Sequence, residues 1–383
     1  MLEHFHVPEE DQVRVRRDDL HRTTTAIFGA MGMPADDADL AADGLVTADI
    51  RGCETHGVSN MLRNYVQMFG EGRINPTPNW KVTRETSAVA TIEADGSHGL
   101  VMCPKAMDIA IEKAKEVGIG AVTIHNSRHA GMMAYHAMRA MPHDMIGYAI
   151  TGGGANMVPT FGAVPRVGAV PHAWAVPADR MPPFVLDISS SSVAANKIQL
   201  LRRTGASLLP GLLADEDGTP IMEEQDVPAE TRLLPWGSTR ELGSHKGYGM
   251  AVIGQVFSGI LSAGLFGISD PPGNGSQFVA AFSIDAFRDV TEFKQSMDEF
   301  LTYLVETPPA PGHDRVYYAG LPEHEEARIR ERDGIPLHRE VVEWFDSATG
   351  ELKLERLVRI DYCYFARTLF TALRRELPAS VAG

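Results

Sequence analysis

Between residues 88 and 188, short apolar runs alternate with longer amphipathic stretches, and this alternation restricts the fold more than any other feature. Strands are predicted at 88–93, 121–124, 146–150 and 184–188, with helices at 104–116 and 132–141 between them. The pattern continues with a helix at 249–265, a strand at 278–284 and a helix at 290–305. An order of strand, helix, strand, helix and strand favours an α/β core with a buried sheet.

The two ends of the chain carry a helical pattern instead. Three helices are predicted before residue 75: one that Asp18 or Asp19 caps and that reaches Phe28, one at 34–50, and one that follows His56 and ends near Gly70. A Pro- and Asn-rich connector at 74–80 marks a candidate domain boundary. After a linker at 308–312, a charged helix is predicted at 323–332, and a strand followed by a terminal helix at 351–377.

Composition argues against several classes of function. The formal net charge of −15 over 383 residues disfavours nucleic-acid binding and a polybasic membrane patch. Cys53, Cys103 and Cys363 are too widely spaced for a zinc site or a disulfide framework, so we expect no metal and a reducing cytoplasm. The first residues lack a secretory pattern, and Gly and Gln interrupt the apolar stretch at 250–266, which predicts a buried helix rather than a membrane span.

Two histidines occupy positions suited to proton chemistry. His56 lies in the stretch 49–58, behind a Gly/Cys/Glu turn at the start of a predicted helix, where free backbone N–H groups suit an anionic substrate. His129 lies in the stretch 126–131, in a loop that follows a strand, which is where α/β sheets commonly bind ligands. An imidazole titrates near neutral pH and can transfer a proton. Taken alone, a histidine in either position is more often a structural hydrogen-bonding residue than a catalytic one.

Two further segments are suited to binding a nucleotide, although no G-x-G-x-x-G motif is present and the triple glycine at 152–154 is weak evidence. The strand at 184–188 ends in Asp187 and four serines, which could bind ribose hydroxyls and phosphates or simply cap the next helix. Lys246 stands between glycines at the start of an apolar helix, where it could meet a phosphate or carboxylate or remain solvated.

Short motifs that include these segments follow one another in a recognisable order from about residue 17 to 345. They comprise Asp49, Gly52, Thr55, His56 and Gly57; Ser127, His129 and Gly131; Pro159, Phe161 and Gly162; Leu186, Asp187, Ile188 and Ser191; Lys246, Gly247 and Gly249; and the segments 322–325 and 334–337. With these motifs the chain resembles the malate/L-lactate dehydrogenase-like oxidoreductases, which include ureidoglycolate and sulfolactate dehydrogenases and diketogulonate and Δ1-piperideine-2-carboxylate reductases.

The resemblance implies an α/β fold in which residues 81–307 form a non-Rossmann, mixed-sheet core that binds NAD or NADP. Residues 1–80, joined by 308–383, would form a helical substrate and dimerisation domain, and a homodimer would carry its active sites between the domains. The catalytic residues are then His56 and His129, on either side of the substrate carbon. The implied cofactor-binding residues are Leu186, Asp187, Ile188, Ser189, Ser191, His245, Lys246 and His324.

Three departures from the family pattern affect the substrate. The family usually has an arginine four residues after the first histidine, where this chain has Asn60; Arg63, one helical turn further, could replace it, and Thr55 completes the predicted substrate site. The loop at 168–171 lacks two hydrogen-bonding side chains, and a tail of nearly 40 residues follows Trp344.

The predicted function is hydride transfer between a nicotinamide cofactor and a small 2-hydroxy acid, 2-oxo acid or cyclic imino acid. The alternatives are a reductase whose substrate lacks the usual carboxylate, and a catalytically silent relative that only binds dinucleotide. The same small-molecule chemistry gives no reason to expect a nucleic-acid or membrane partner.

Overall fold

The computed structural model describes residues 7–264 and 274–360. Its strands are β1 Gln12–Val15, β2 Lys81–Glu85, β3 Val89–Glu93, β4 Ile119–Ser127, β5 Met145–Gly152, β6 His172–Val176, β7 Phe184–Ile188, β8 Gly275–Ser283 and β9 Ile335–His338. Its helices are α1 Arg17–Ala30, α2 Ala35–Ile50, α3 Val58–Gly70, α4 Gly99–Val117, α5 Met133–Met138, α6 Ala195–Thr204, α7 Ser244–Gln255, α8 Val290–Val305, α9 Leu321–Asp333 and α10 Arg339–Leu352.

A seven-stranded mixed sheet, in the order β2-β3-β4-β8-β5-β6-β7, forms the centre of the molecule. Only β3 and β4 run parallel, and every other neighbouring pair in this sheet is antiparallel. Strand β8 is buried on both faces, because Val279 and Ala281 pack towards α4 and α5 while Phe278 and Ala280 face the other side. The predicted α/β class with a mixed-sheet core is confirmed.

A separate hydrophobic cluster joins the two ends of the described chain. Leu20, Leu45 and Tyr65 from the first three helices pack with Ile335 and Phe345 from the C-terminal part, and β1 pairs antiparallel with β9. This packing agrees with a helical unit built from both ends, while the domain boundaries at 80 and 308 stay predictions. Among the described residues, no helix is both long and apolar enough to cross a bilayer.

Patterns with a strong local signal predicted elements well, and weak ones did not. Strand 184–188 and helix 290–305 have the observed bounds, whereas β1, β2, β6, β9, α6 and α10 were not predicted. All of β2 is exposed at the sheet edge, so its residues show no apolar alternation. Residues 353–360 form neither helix nor strand, contrary to the predicted strand, and 265 and 361–377 lie outside the described residues.

Several predicted boundaries were wrong for identifiable reasons. Helix α4 starts at Gly99 rather than residue 104, because Pro104 is accommodated inside it. Asp18 and Asp19 do not cap α1; they lie in its first turn, where their charge favours the helix dipole, and Arg16 is the N-cap. Helix α7 starts five residues before the predicted position and continues into a π-helical turn at Val256–Ile260.

The junction between α2 and α3 depends on a buried carboxyl group. Asp49, fully buried at the end of α2, accepts the backbone N–H of Val58, the first residue of α3, at 2.7 Å. Gly57 lies directly against it, since a Cβ there would come within 2.0 Å of Asp49 Oδ1. Burial raises the pKa of Asp49 to about 8. Asp49 is therefore protonated at neutral pH and holds the turn before α3 without a buried charge.

This pKa predicts how an Asp49→Asn variant responds to pH. Because its folded-state pKa is raised, protonated Asp49 contributes stability to the fold. This contribution is fully present below the usual pKa of 3.8 and is lost as the pH rises from there through about 8. Asparagine mimics the protonated carboxyl and removes this loss. Urea unfolding between about pH 5 and about pH 9 should show the free energy of unfolding of Asp49→Asn gaining steadily on the wild type. Asp217→Asn, on an exposed loop, is the control, and a gap independent of pH would contradict the assignment.

Candidate active site

His56 lies in a short 3-10 turn, Glu54–His56, between α2 and α3. Its Nδ1 is 2.9 Å from the hydroxyl of Thr55, and the carbonyl of Thr55 accepts a hydrogen bond from Asn196 of α6 at 3.1 Å. Because protein surrounds the ring, its pKa is lowered to about 4. His56 is therefore a neutral imidazole at neutral pH, held in a turn just before a helix.

Arg330 of α9 fixes this turn from the C-terminal part of the chain. Its guanidinium is 1% exposed and donates to the carbonyl of Asp49 at 2.8 Å, to Glu54 at 2.7 Å and to Glu326 at 2.5 Å. All three nitrogens thus have acceptors, which offsets the cost of burying the charge. This role could not be predicted from local pattern, because Arg330 lies in a helix rich in charged residues.

His129 lies in the loop after β4 and is held by two donors. Its Nδ1 accepts the backbone N–H of Gly131 at 3.2 Å and lies 2.6 Å from the hydroxyl of Tyr65 on α3. The loop rests on the first turn of α4, where a Cβ on Gly99 would come within 2.6 Å of the His129 carbonyl. Burial, with smaller contributions from the nearby imidazoles of His56 and His136, lowers the pKa of His129 to about 3. Sequence reasoning missed Tyr65.

The structure brings the two predicted catalytic histidines together. Their rings are nearly parallel, with an angle of 12° and a centroid distance of 5.8 Å. No described residue hydrogen-bonds to Nε2 of either ring, so a bound molecule can use both Nε2 atoms. Two neutral imidazoles side by side can accept one proton and donate one hydrogen bond to the same oxygen.

Asp187 connects the end of β7 to the same region. Its carboxylate accepts the backbone N–H of Ala134 at 2.7 Å and that of Met133, at the N-terminus of α5. The side chain of Asp187 keeps accessible surface, although many protein atoms lie around its carboxyl group. This enclosure raises its pKa to about 6. Leu186 and Ile188 flank it on the strand.

Arg51 is a second functional candidate that the motif analysis passed over. It is 9% exposed, its charge acts on Asp187 and on Glu323 of α9, and its guanidinium has no hydrogen-bond partner among the described residues. Glu323 Oε2 is likewise buried and unpartnered. His324 lies close enough for Arg51 to contribute to lowering its pKa, after the larger effect of burial. A buried cation without a partner is suited to a bound anion.

The predicted phosphate-binding residues show a mixed picture. The hydroxyls of Ser189 and Ser191 donate to the backbone carbonyls of Ala169 and Val193. Both hydroxyl protons are therefore already used within the protein. His245 and Lys246 are exposed in the first turn of α7.

The start of α7 and the serine segment meet at Trp236. The backbone N–H of Trp236 donates to the Ser190 carbonyl at 3.1 Å, and Gly247 of α7 packs against the Trp236 backbone. The structure therefore brings Lys246 to the same region as Ser189 and Ser191.

The predicted substrate-binding residues of α3 lie on its exposed side. The Asn60 side chain donates to the Glu54 carbonyl at 2.7 Å, which helps to hold the turn of His56. Arg63 is exposed and lies slightly more than half a helical turn from Tyr65, which faces His129. Within one chain, Asn60 therefore contacts the turn and Arg63 points away from it, and their roles towards substrate stay predictions.

Comparison with known proteins agrees with this arrangement. The family model for malate/L-lactate dehydrogenase matches residues 15–345. Malate dehydrogenase of Pyrococcus abyssi is 33% identical over 341 residues, which cover 88% of this chain and 94% of the relative. L-sulfolactate dehydrogenase of Methanocaldococcus jannaschii is 31% identical over 335 residues, covering 86% and 94% of the two chains.

A solved structure is similar over nearly the whole chain. The malate dehydrogenase structure from Pyrococcus horikoshii superposes with a TM-score of 0.84 at 30% identity, covering 92% of this chain and 99% of that one. The sequence match, the mixed sheet and the paired histidines lead to the same assignment. The chain belongs to the malate/L-lactate dehydrogenase family and is a hydroxy acid dehydrogenase.

Proposed function

We propose that the protein transfers hydride between NAD or NADP and a small 2-hydroxy acid, 2-oxo acid or cyclic imino acid. The observation that carries the proposal is the pair of neutral imidazoles of His56 and His129, 5.8 Å apart, with both Nε2 atoms unpartnered among the described residues. Relatives that carry malate and sulfolactate dehydrogenase in their names support the same substrate class.

The proton step is assigned to His56. Oxidation of a hydroxy acid removes a hydride from carbon and a proton from the hydroxyl oxygen; a bound nicotinamide cofactor would supply the hydride acceptor. Because burial keeps His56 neutral, its Nε2 can accept that proton while Thr55 accepts a hydrogen bond from Nδ1. In the reverse direction the same nitrogen returns the proton. His129 holds the substrate oxygen in place.

The residues present fit a dinucleotide at two points. Lys246, exposed in the first turn of α7 and without an ion-pair partner among the described residues, would bind a phosphate together with the helix N-terminus. Asp187, whose side chain is accessible, would accept hydrogen bonds from ligand hydroxyl or amide groups. The remaining predicted contacts are the β7 residues Leu186 and Ile188, the serines Ser189 and Ser191, and His245 and His324.

Arg51 is proposed as the group that anchors a substrate carboxylate. It is buried beside Asp187, and neither Asp187 nor Glu323 accepts a hydrogen bond from it, so its donors remain available. Arg63, by contrast, faces solvent in the single chain. The family usually has an arginine at the position of Asn60. Arg51 is better placed than Arg63 to take over the role of that arginine.

A homodimer is part of the proposal, on a surface that the sequence did not indicate. The predicted tail lies largely outside the described residues, but α7 and the turn after it expose an apolar face. Val252, Ile253, Val256, Ile260 and Leu261 are 37–56% exposed. A continuous apolar face of this kind usually marks a contact with another protein, and two-fold dimers are the commonest such assembly.

Cys53 and Cys103 are free thiols, in keeping with the expected cytoplasm.

Cofactor binding is tested at Lys246. Lys246→Ala should weaken binding of NADH or NADPH by about 1–3 kcal/mol, because a charge-assisted bond to phosphate is lost. Lys81→Ala, on the exposed edge strand β2, is the matched control and should leave affinity unchanged. Fluorescence titration measures both, and equal affinities for the two variants would remove Lys246 from the site.

Activity is tested with NAD and NADP against a panel of 2-hydroxy acids and cyclic imino acids. With the best carboxylate substrate, His56→Gln should lose about 10²–10⁴ in turnover.

Arg51→Met should raise KM about tenfold or more, with Arg63→Met as its control. If neither arginine matters and carboxylate-free carbonyl compounds turn over, the first alternative holds. Cofactor binding without turnover of any compound would favour the silent relative.

Dimerisation is tested on the exposed face of α7. Ile260→Glu places a charge in the proposed contact and should give a monomer in sedimentation at micromolar concentration, while the wild type is a dimer. Val117→Glu, equally exposed at the end of α4, should remain dimeric. A monomeric wild type would refute the homodimer, and a dimeric Ile260→Glu would refute this surface.

A further inference from the structure

We infer that Tyr65 is a positioning residue: together with the backbone N–H of Gly131, it holds His129 in a single tautomer. In that tautomer His129 acts only as a hydrogen-bond donor, and proton transfer is left to His56. The inference rests on the proposed function, because it divides the work between the same two imidazoles. It explains why two similar histidines are not interchangeable.

The backbone N–H of Gly131 favours one position for the proton of His129. A backbone N–H can only donate, and it lies 3.2 Å from Nδ1 of His129, which makes it a weak donor on its own. It favours a lone pair on Nδ1 and the hydrogen of the neutral ring on Nε2. The free nitrogen of His129 is thus a donor towards the substrate oxygen.

Tyr65 strengthens this arrangement from the opposite element. Its hydroxyl lies 2.6 Å from the same Nδ1, and its ring is buried edge-to-face against His98 at 4.2 Å. The side chain is 1% exposed, so the phenol has little room to move away. Burial also raises the pKa of Tyr65, which keeps its O–H available as a donor.

The free-energy cost of adding a second ring proton differs between His129 and His56. A proton on Nδ1 of His129 would face the N–H of Gly131, and two donors would then oppose each other. His56 has no such conflict, because its Nδ1 contacts the hydroxyl of Thr55, which can donate or accept. His56 can therefore gain and lose a proton with its surroundings satisfied, whereas His129 cannot.

The protein contains a reference for this tautomer outside the site. Tyr148 Oη lies 2.9 Å from Nδ1 of His172, whose Nε2 lies 3.1 Å from the Met250 carbonyl. Since a carbonyl only accepts, His172 must carry its hydrogen on Nε2. Tyr148 and His172 therefore repeat the contact between Tyr65 and His129, with an independently fixed proton.

The first experiment reads the tautomers directly in the full-length, ligand-free protein. NMR of ¹⁵N-labelled histidine, assigned with His129→Gln and His172→Gln, should show the Nε2–H form for both residues. In Tyr65→Phe, a population of the Nδ1–H form should appear at His129 and not at His172; Tyr148→Phe is the matched control and should leave His129 unchanged. A wild-type His129 protonated at Nδ1, or a Tyr65→Phe spectrum identical to wild type, would overturn the inference.

The second experiment measures turnover. Glutamine at position 129 can still donate from its amide, so His129→Gln should keep kcat within about tenfold of wild type, whereas His129→Ala should lose about a hundredfold. Tyr65→Phe should lower kcat/KM about 3- to 10-fold, and Tyr148→Phe should not. A His129→Gln variant as inactive as His129→Ala contradicts the donor role.

The two proposals fail separately. If no hydroxy acid or imino acid is turned over, the proposed function fails while the NMR result still decides the tautomer. If turnover is found but His129 carries its proton on Nδ1, only the inference about Tyr65 fails.

Discussion

The buried guanidinium of Arg330 is the interaction on which the rest of the site depends. An arginine that is 1% exposed destabilises a fold unless its donors are satisfied, and here Asp49, Glu54 and Glu326 supply the acceptors. One of these is the carbonyl at the end of α2 and another belongs to the turn of His56. Docking of α9 and formation of that turn are therefore coupled, because Arg330 of α9 and Glu54 of the turn each supply the opposite charge for the other.

The second histidine stands on a loop of the sheet, and Tyr65 of the N-terminal helices contacts its ring. Strands β4 and β7 are separated in the sheet by β8, β5 and β6, yet the His129 loop and Asp187 come together. Helix α5 makes the connection, since it packs on β5, β6 and β7, and its first N–H groups bind the Asp187 carboxylate. Asp187 therefore binds the N-terminus of a helix while its side chain stays accessible to a ligand.

Local sequence patterns were enough to predict part of this molecule. The helix after His56, the strand that contains Asp187 and the α/β class each depend on neighbouring residues, and each is present in the structure. The mixed sheet was expected only from the family resemblance. Tyr65, Arg51 and Arg330 could not be found in this way. Tyr65 meets His129 across 64 residues and Arg330 meets Asp49 across 281, so no spacing within a motif reports either contact. Arg51 stood inside a recognised motif, but only burial without a partner distinguishes it from a surface arginine.

The protonation state of His56 and His129 depends on burial and on the absence of a paired carboxylate among the described residues. No carboxylate in the described part of the chain hydrogen-bonds to His56 or His129, so nothing offsets the burial that lowers the pKa of both imidazoles. Both rings are therefore neutral before substrate arrives. A substrate carboxylate held at Arg51 would bring a negative charge into the site, and a nearby negative charge raises the pKa of an imidazole. Binding an anionic substrate would thus make His56 a stronger base when a hydroxyl proton has to be removed, and would leave it a weak base when the site is empty.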